Sequence, residues 1–311
     1  MRSELLKFTR LLLSGIFLSM SVQAQTINSD STLSTKDTLA VGVKDSLPVK
    51  VTDPSYHLYR MNYWVSGAFC LVASIADVYA IPTVIKSKQT ITAAELQGLN
   101  KNSVSSFDRW ALNQNPAKRQ AYLNAADYSL PVAIALPGLL AFNKNIKKDW
   151  ARILLMYYEM HCITFSIYNY SFFGPAFQNK YRPVVYYDQL PTAQRDGGNN
   201  RNSMYSGHAA TAIASTFFMV KVYSDYHPEI NNKKYLLYAA ATIPGFIIGY
   251  LRVKGMEHFP SDVMVGMAIG AACGVLVPEI HRFKNHKVIF GTSSSPTGGA
   301  GLSMIWNMDQ K

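Results

Sequence analysis

Three short clusters hold the residues whose types and spacing could do chemistry. Arg252 is followed by His258, and Asp262 lies four residues beyond that histidine. Ser206 and Gly207 precede His208, which opens an apolar stretch. Lys180, Tyr181, Arg182 and Pro183 sit between two apolar runs. These types suit attack on a phosphate ester. Cations grip the non-bridging oxygens, a nucleophile stands in line, and an acid protonates the leaving oxygen. Imidazoles can fill the last two roles. Asp262 is close enough in sequence to fold back and orient His258, and Pro260 suits a first helical turn with His258 at its mouth. Ser206 is a plausible helix cap, and Gly207 lets backbone approach a ligand near free N–H groups. Arg182 offers a planar fork for phosphate oxygens, stiffened by Pro183.

Each cluster alone has a bland reading. A His-x-x-x-Asp is often a surface pair, and Arg-Pro arises by chance. Three clusters, each at the end of an apolar helix, make a joint accident a poor account. The elements that must position them are apolar runs at Trp64 to Ile85, Leu130 to Phe142, Ile153 to Phe173, Ala209 to Val222, Tyr235 to Leu251 and Val263 to Val277. Small residues are frequent in the last three, which suits close helix packing. No alternating strand pattern appears before the tail. The expected fold is all-α, a membrane-embedded bundle of about six helices. Trp64 to Ile85 carries Asp77 and Pro82, which makes it the poorest spanner, expected to pack or re-enter without crossing. Glu159 and His161 interrupt another run, where a satisfied interior histidine is the default.

Composition agrees with a membrane setting. Of 311 residues, 49% are hydrophobic and only 16% charged, below the globular average of about a quarter. A mean hydropathy of +0.02 means wet loops dilute the helices. The net charge of +11 is scattered, with no dense basic run, which argues against nucleic acid as a partner. A membrane protein with cytoplasmic Lys and Arg, acting on an anionic substrate, explains it better. Cys70, Cys162 and Cys273 lack metal-ligand spacing and read as small buried hydrophobes. No carboxylate cluster or Cys/His grouping calls for a metal, and no cofactor is expected. Arg2, Lys7 and Arg10 precede the apolar run Leu11 to Leu18, and small residues lead to Ala24. Residues 1–24 therefore read as an export signal, with an uncleaved anchor as the alternative. Residues 25–60 read as a flexible leader. The helical domain is expected over 61–285, followed by a tail at 286–311.

With these motifs in hand, the chain resembles the type-2 phosphatidic acid phosphatase superfamily, the lipid phosphate phosphatases. That family also holds bacterial class A acid phosphatases and vanadium haloperoxidases. Its pattern is Lys-x6-Arg-Pro, then Pro-Ser-Gly-His, then Ser-Arg-x5-His-x3-Asp. Here the matches are Arg182-Pro183, Ser206-Gly207-His208, and Arg252-x5-His258-x3-Asp262, spanning about residues 150 to 280. Three positions depart: Pro175 stands where the family has Lys, Tyr205 where it has Pro, and Leu251 where it has Ser. Lys180 could substitute for the lysine from two residues away from Arg182.

The resemblance implies a metal-free, two-step reaction. His258 attacks phosphorus and forms a phosphohistidine. His208 protonates the leaving alkoxide and then activates water. Arg182, Arg252, Ser206, the Gly207 N–H and Lys180 would hold the oxygens. The expected substrate is a phosphorylated envelope lipid, met from a periplasm-facing site. The alternatives are a soluble periplasmic acid phosphatase, a vanadium haloperoxidase and a non-catalytic descendant.

Overall fold

A computed structural model describes residues 57–282 and the strands 288–294 and 300–306. The expected signal at 1–24 and most of the leader at 25–60 lie outside the described residues. Six long helices form the bundle: α1 (Tyr63–Lys86), α2 (Arg119–Ala135), α3 (Trp150–Tyr170), α4 (Gly207–Tyr226), α5 (Lys233–Lys254) and α6 (Pro260–His281). Short helical turns join them. Beyond α6, β1 (Val288–Ser294) and β2 (Ala300–Trp306) pair as an antiparallel ribbon within the tail.

Helix α4 is the axis. Its residues from Ala209 to Thr216 are buried in an unbroken run. The reason is the small side chains Ala209-Ala210-Thr211-Ala212, which let neighbours approach from all sides. The closest neighbour is α6. A Cβ on Gly266, Gly270 or Gly274 would stand 2.4, 2.1 or 2.5 Å from the backbone oxygens of Ser206, Ala210 and Ala214. At a four-residue repeat, the three glycines make a seam on one side of α6 where backbone meets backbone.

The outer helices are apolar on the wrong side for water. Among the described residues, Tyr63–Lys86, Pro116–Phe142, Lys233–Lys254 and Pro260–His281 are long and apolar enough to cross a membrane. Leu71, Val72, Val78, Leu236, Phe246 and Leu276 are exposed on their outer surfaces. A girdle of this kind is stable against hydrocarbon and costly against water. The ionisable residues inside are paired. Asp77 accepts from Asn169 at 2.9 Å and Ser166 at 3.3 Å, which clasps α1 to α3. Glu159 lies 3.1 Å from His281 Nε2. His161 meets Ser215 at 3.3 Å and the Tyr157 ring edge-on, an interior placement as expected.

Two expectations need correcting. Of the two fates expected for α1, packing or re-entry, the structure shows packing against α3 and no re-entry. Helix α1 is one continuous helix of 24 residues, about 36 Å long, despite Pro82. Just before its start, Arg60 N–H donates to His281 O at 2.7 Å; just past its far end, Lys88 Nζ donates to Gln178 O at 2.7 Å. It therefore runs the full height of the bundle, and its embedded Asp77 is satisfied by α3 rather than by water. Helix α2 also begins earlier than the apolar run Leu130 to Phe142 suggested. It starts at Arg119 in a segment that reads as polar, because that part of the helix faces the site.

The connections place all three clusters at one end. The α3–α4, α5–α6 and α1–α2 segments meet there. The basic residues Lys144, Lys147, Lys148, Arg152, Lys233, Lys234 and Arg282 lie at the other end, on the α2–α3 and α4–α5 connections and just past α6.

Candidate active site

His258 sits between α5 and α6, only 3% exposed. Its Nδ1 is 2.7 Å from the backbone oxygen of Ser203. A carbonyl can only accept, so Nδ1 carries the proton and Nε2 keeps its lone pair. Burial, then the Arg182 and Arg252 guanidiniums, push the imidazole well below its ordinary pKa. The result is a neutral ring with a free nitrogen beside two cations.

The turn carrying His258 follows from how α5 ends. Met256 N–H donates to Val253 O at 2.9 Å, and Glu257 N–H donates to Arg252 O at 3.0 Å. This is the paired hydrogen-bond pattern of a Schellman cap, with Met256 in the left-handed region at φ 59°. The cap folds Glu257 back onto Arg252 in the last turn of the helix. Their side chains meet at 3.4 Å, Arg252 Nη2 to Glu257 Oε2.

Arg182 reaches the same carboxylate. Its backbone N–H donates to Asn200 O at 2.7 Å, and Val184 N–H donates to Met256 O at 3.0 Å. The second bond ties the Arg-Pro segment to the Schellman turn. Arg182 Nη1 then pairs with Glu257 Oε2. Burial pushes Arg182 down to about 10, which leaves it charged at neutral pH.

The second histidine stands at the mouth of α4. Ser206 caps that helix through Oγ, which accepts from Ala209 N–H at 3.4 Å. Ser206 N–H in turn donates to Asp262 O at 3.1 Å, which joins the starts of α4 and α6. At Gly207 a Cβ would come to 3.3 Å from the Tyr168 ring, so a bare residue is favoured at the helix start. His208 Nε2 lies 3.1 Å from Asp127 Oδ1, and the imidazole is more exposed than His258. Arg252 Nη1 is 3.5 Å from that same oxygen. The structure thus brings His208, His258, Arg182, Arg252, Ser206 and Gly207 to one end of the bundle, as their spacing suggested.

Asp262 and Lys180 behave differently from expectation. Asp262 does not touch the His258 ring, whose Nδ1 is taken by Ser203. At the third position of α6 its carboxylate turns back to the helix start. It accepts from Phe259 N–H at 2.9 Å and from Ser203 Oγ at 2.6 Å. Asp262 thereby braces the loop whose carbonyl orients His258, one step removed from the ring. Lys180 is drawn to Asp262 at 2.7 Å, to Ser261 Oγ at 3.0 Å and to Asp108 at 3.5 Å. Its charge is shared with two carboxylates at the start of α6, apart from the carboxylate that Arg182 and Arg252 meet.

Three residues here were not singled out from sequence: Arg119, Asp127 and Glu257. Arg119 Nη2 is 2.7 Å from Glu257 Oε1. Glu257 is adjacent to His258 in sequence and was in plain view. A carboxylate is simply not what one seeks in an anion site. Among the described residues, no group of three or more His, Cys, Asp or Glu side chains is placed to hold a metal.

Residues 150–286, from α3 to just past the end of α6, are similar to the PAP2 superfamily. A solved structure, the first transmembrane PAP2 type phosphatidylglycerolphosphate phosphatase from Bacillus subtilis, is similar at 18% identity with a TM-score of 0.37. The match covers 70% of this chain and 94% of that one. No curated protein matches the chain.

Proposed function

We propose that the protein hydrolyses a phosphate monoester or pyrophosphate carried by a membrane lipid, through a phosphohistidine on His258. The observation that carries this reading is the Ser203–His258 hydrogen bond, which leaves Nε2 unprotonated beside Arg182 and Arg252. Nε2 attacks phosphorus while the guanidiniums and the α4 start hold the non-bridging oxygens. The phosphorus–oxygen bond to the alcohol breaks, and His208 donates its proton to that oxygen. In the second step His208 takes a proton from water, which attacks the phosphohistidine and frees inorganic phosphate. Asp262 acts by holding Ser203, not by touching substrate.

The exposed apolar faces of α1, α5 and α6 favour a lipid over a water-soluble ester. Basic residues concentrated at the opposite end favour a periplasm-facing site.

The test is phosphate release by purified, detergent-solubilised protein from a panel of lipid and soluble phosphates. Lipid phosphates should turn over fastest, and His258→Ala should release none. Acid-labile, base-stable phosphate should be trapped on the wild type. Activity surviving in His258→Ala would overturn the mechanism. A preference for soluble esters would overturn the substrate class.

A further inference from the structure

We infer that Arg119, on α2 and outside the PAP2 segment, is the third phosphate-gripping cation of this site, in place of the lysine missing at Pro175. The inference rests on the phosphatase reading and adds a residue to it.

Three guanidiniums converge on one carboxylate. Arg119 Nη2 is 2.7 Å from Glu257 Oε1, and Arg182 and Arg252 meet Oε2. Like charges this close repel strongly, so something must hold them together. Glu257 does so with one negative charge against three positive, and Asp127 meets only Arg252 of the three, so the cluster stays net positive beside His258. A net positive cluster suits a phosphate anion.

A second observation points the same way. The Nε atoms of Arg119, Arg182 and Arg252 are each buried and have no hydrogen-bond partner. A buried unpaired donor is costly, and charged donors more so. Three such donors in one cluster, all from the groups that share Glu257, suit an oxyanion with several acceptor oxygens. Arg182 and Arg252 are already assigned that task. Arg119 has the same partner and the same unmet donor.

The alternative cation is accounted for. Lys180 is held by Asp262, Ser261 and Asp108, away from this cluster. Arg119 is available because α2 begins at that residue, at the same end as the α5–α6 turn.

The experiment compares wild type, Arg119→Ala, Arg119→Lys and, as a control, the exposed neighbour variant Lys118→Ala. KM and kcat are measured with the best substrate of the panel. Inhibition constants are measured for orthovanadate and inorganic phosphate. Thermal unfolding checks that each variant is folded. Arg119→Ala should raise KM and both inhibition constants by about ten- to a hundredfold, as expected for a lost charge-assisted contact. Arg119→Lys should recover part of that loss, since charge is kept and the fork is lost. Lys118→Ala should match wild type. Should Arg119→Ala not fold, Arg119→Lys must still weaken vanadate several-fold. A folded Arg119→Ala, or Arg119→Lys where the alanine variant does not fold, with unchanged vanadate and phosphate inhibition would overturn the inference while leaving the phosphatase reading intact. A wild type that neither turns over nor binds phosphate would overturn both.

Discussion

The backbone oxygen of Ser203 holds Nδ1 of His258 at 2.7 Å, and Ser203 Oγ is itself held by Asp262 at 2.6 Å. The tautomer of the proposed nucleophile is therefore fixed by a main-chain atom, and the acidic residue secures the loop that supplies it. Asp262→Asn keeps a side-chain acceptor for Ser203 Oγ and Phe259 N–H but weakens the pull on Lys180. Its kcat should fall far less than that of His258→Ala, by about tenfold rather than to background. A loss as complete as that of His258→Ala, in a variant that still melts cooperatively, would show that the carboxylate acts on the ring directly.

Asp127 bears on the other histidine. Burial and then Arg252 push His208 down to about 4, and the Asp127 carboxylate opposes them by favouring the protonated form that a general acid needs. Asp127→Asn removes that negative charge, so the proton is held less tightly. The alkaline limb of the kcat–pH profile should move to lower pH, with kcat at neutral pH reduced several-fold. An unmoved limb would remove Asp127 from the proton pathway.

Acid should destabilise the fold through His258. Its folded pKa is depressed by burial and by the two arginines, so the unfolded chain takes up a proton that the folded chain refuses. The stabilising effect of the neutral ring is present above about pH 6.5, the ordinary histidine value, and is lost as pH falls below it. His258→Gln should flatten that dependence in denaturation between pH 7 and 5. Identical pH slopes for the two proteins would contradict the assignment.

Chelation and vanadate separate this mechanism from a metal-assisted one. The groups around His258 are guanidiniums and a capped imidazole, with no cluster of metal donors among the described residues. EDTA should leave turnover unchanged, and orthovanadate should compete with substrate. Activity that requires added Mg²⁺ or Zn²⁺ would refute the scheme.

Orientation follows from the full-height path of α1. Residue 57 lies at the basic end, opposite His208 and His258. Short basic loops stay cytoplasmic, which would turn the site outward, as proposed. An exported residue 25 would instead place the basic end outside, so the two sequence signals now compete directly. The basic loops are the broader signal. Cysteine placed at the exposed Ala193 should react with an impermeant reagent in intact cells, and cysteine at Asn145 only after permeabilisation. The native cysteines are buried and give a low background. The reverse pattern would put the site in the cytoplasm and favour the export reading of residues 1–24.

The six helices were legible because their apolar runs are long and separated by polar segments. The exception, the start of α2, was hidden by its own role. Arg119 and Asp127 make that stretch look like a wet loop because they face the site instead of lipid. Arg182, His208, Arg252 and His258 were legible from type and spacing. Asp262 was found but given the wrong partner. Four residues after a histidine allows a fold-back, yet at the third helical position a carboxylate also caps the helix, and Ser203 had already taken the ring. Lys180 was found without its partners for a related reason: sequence counts its charge but not the Asp108 that arrives from a distant segment to share it.

The glycine seam between α4 and α6 acts as a gauge block for the chemistry. His208 begins one helix, His258 precedes the other, and no side chain fills the gap between their backbones at Gly266, Gly270 and Gly274. The spacing of the proposed acid and nucleophile is thus set by the thickness of two main chains, a dimension that rotamer changes cannot alter. A methyl group added at Gly270 would act as a shim, moving the two imidazoles apart from well below the pocket. Its signature would be a loss of kcat with phosphate affinity largely kept, because the arginine cluster is anchored on α2, α5 and the α3–α4 segment, off the seam.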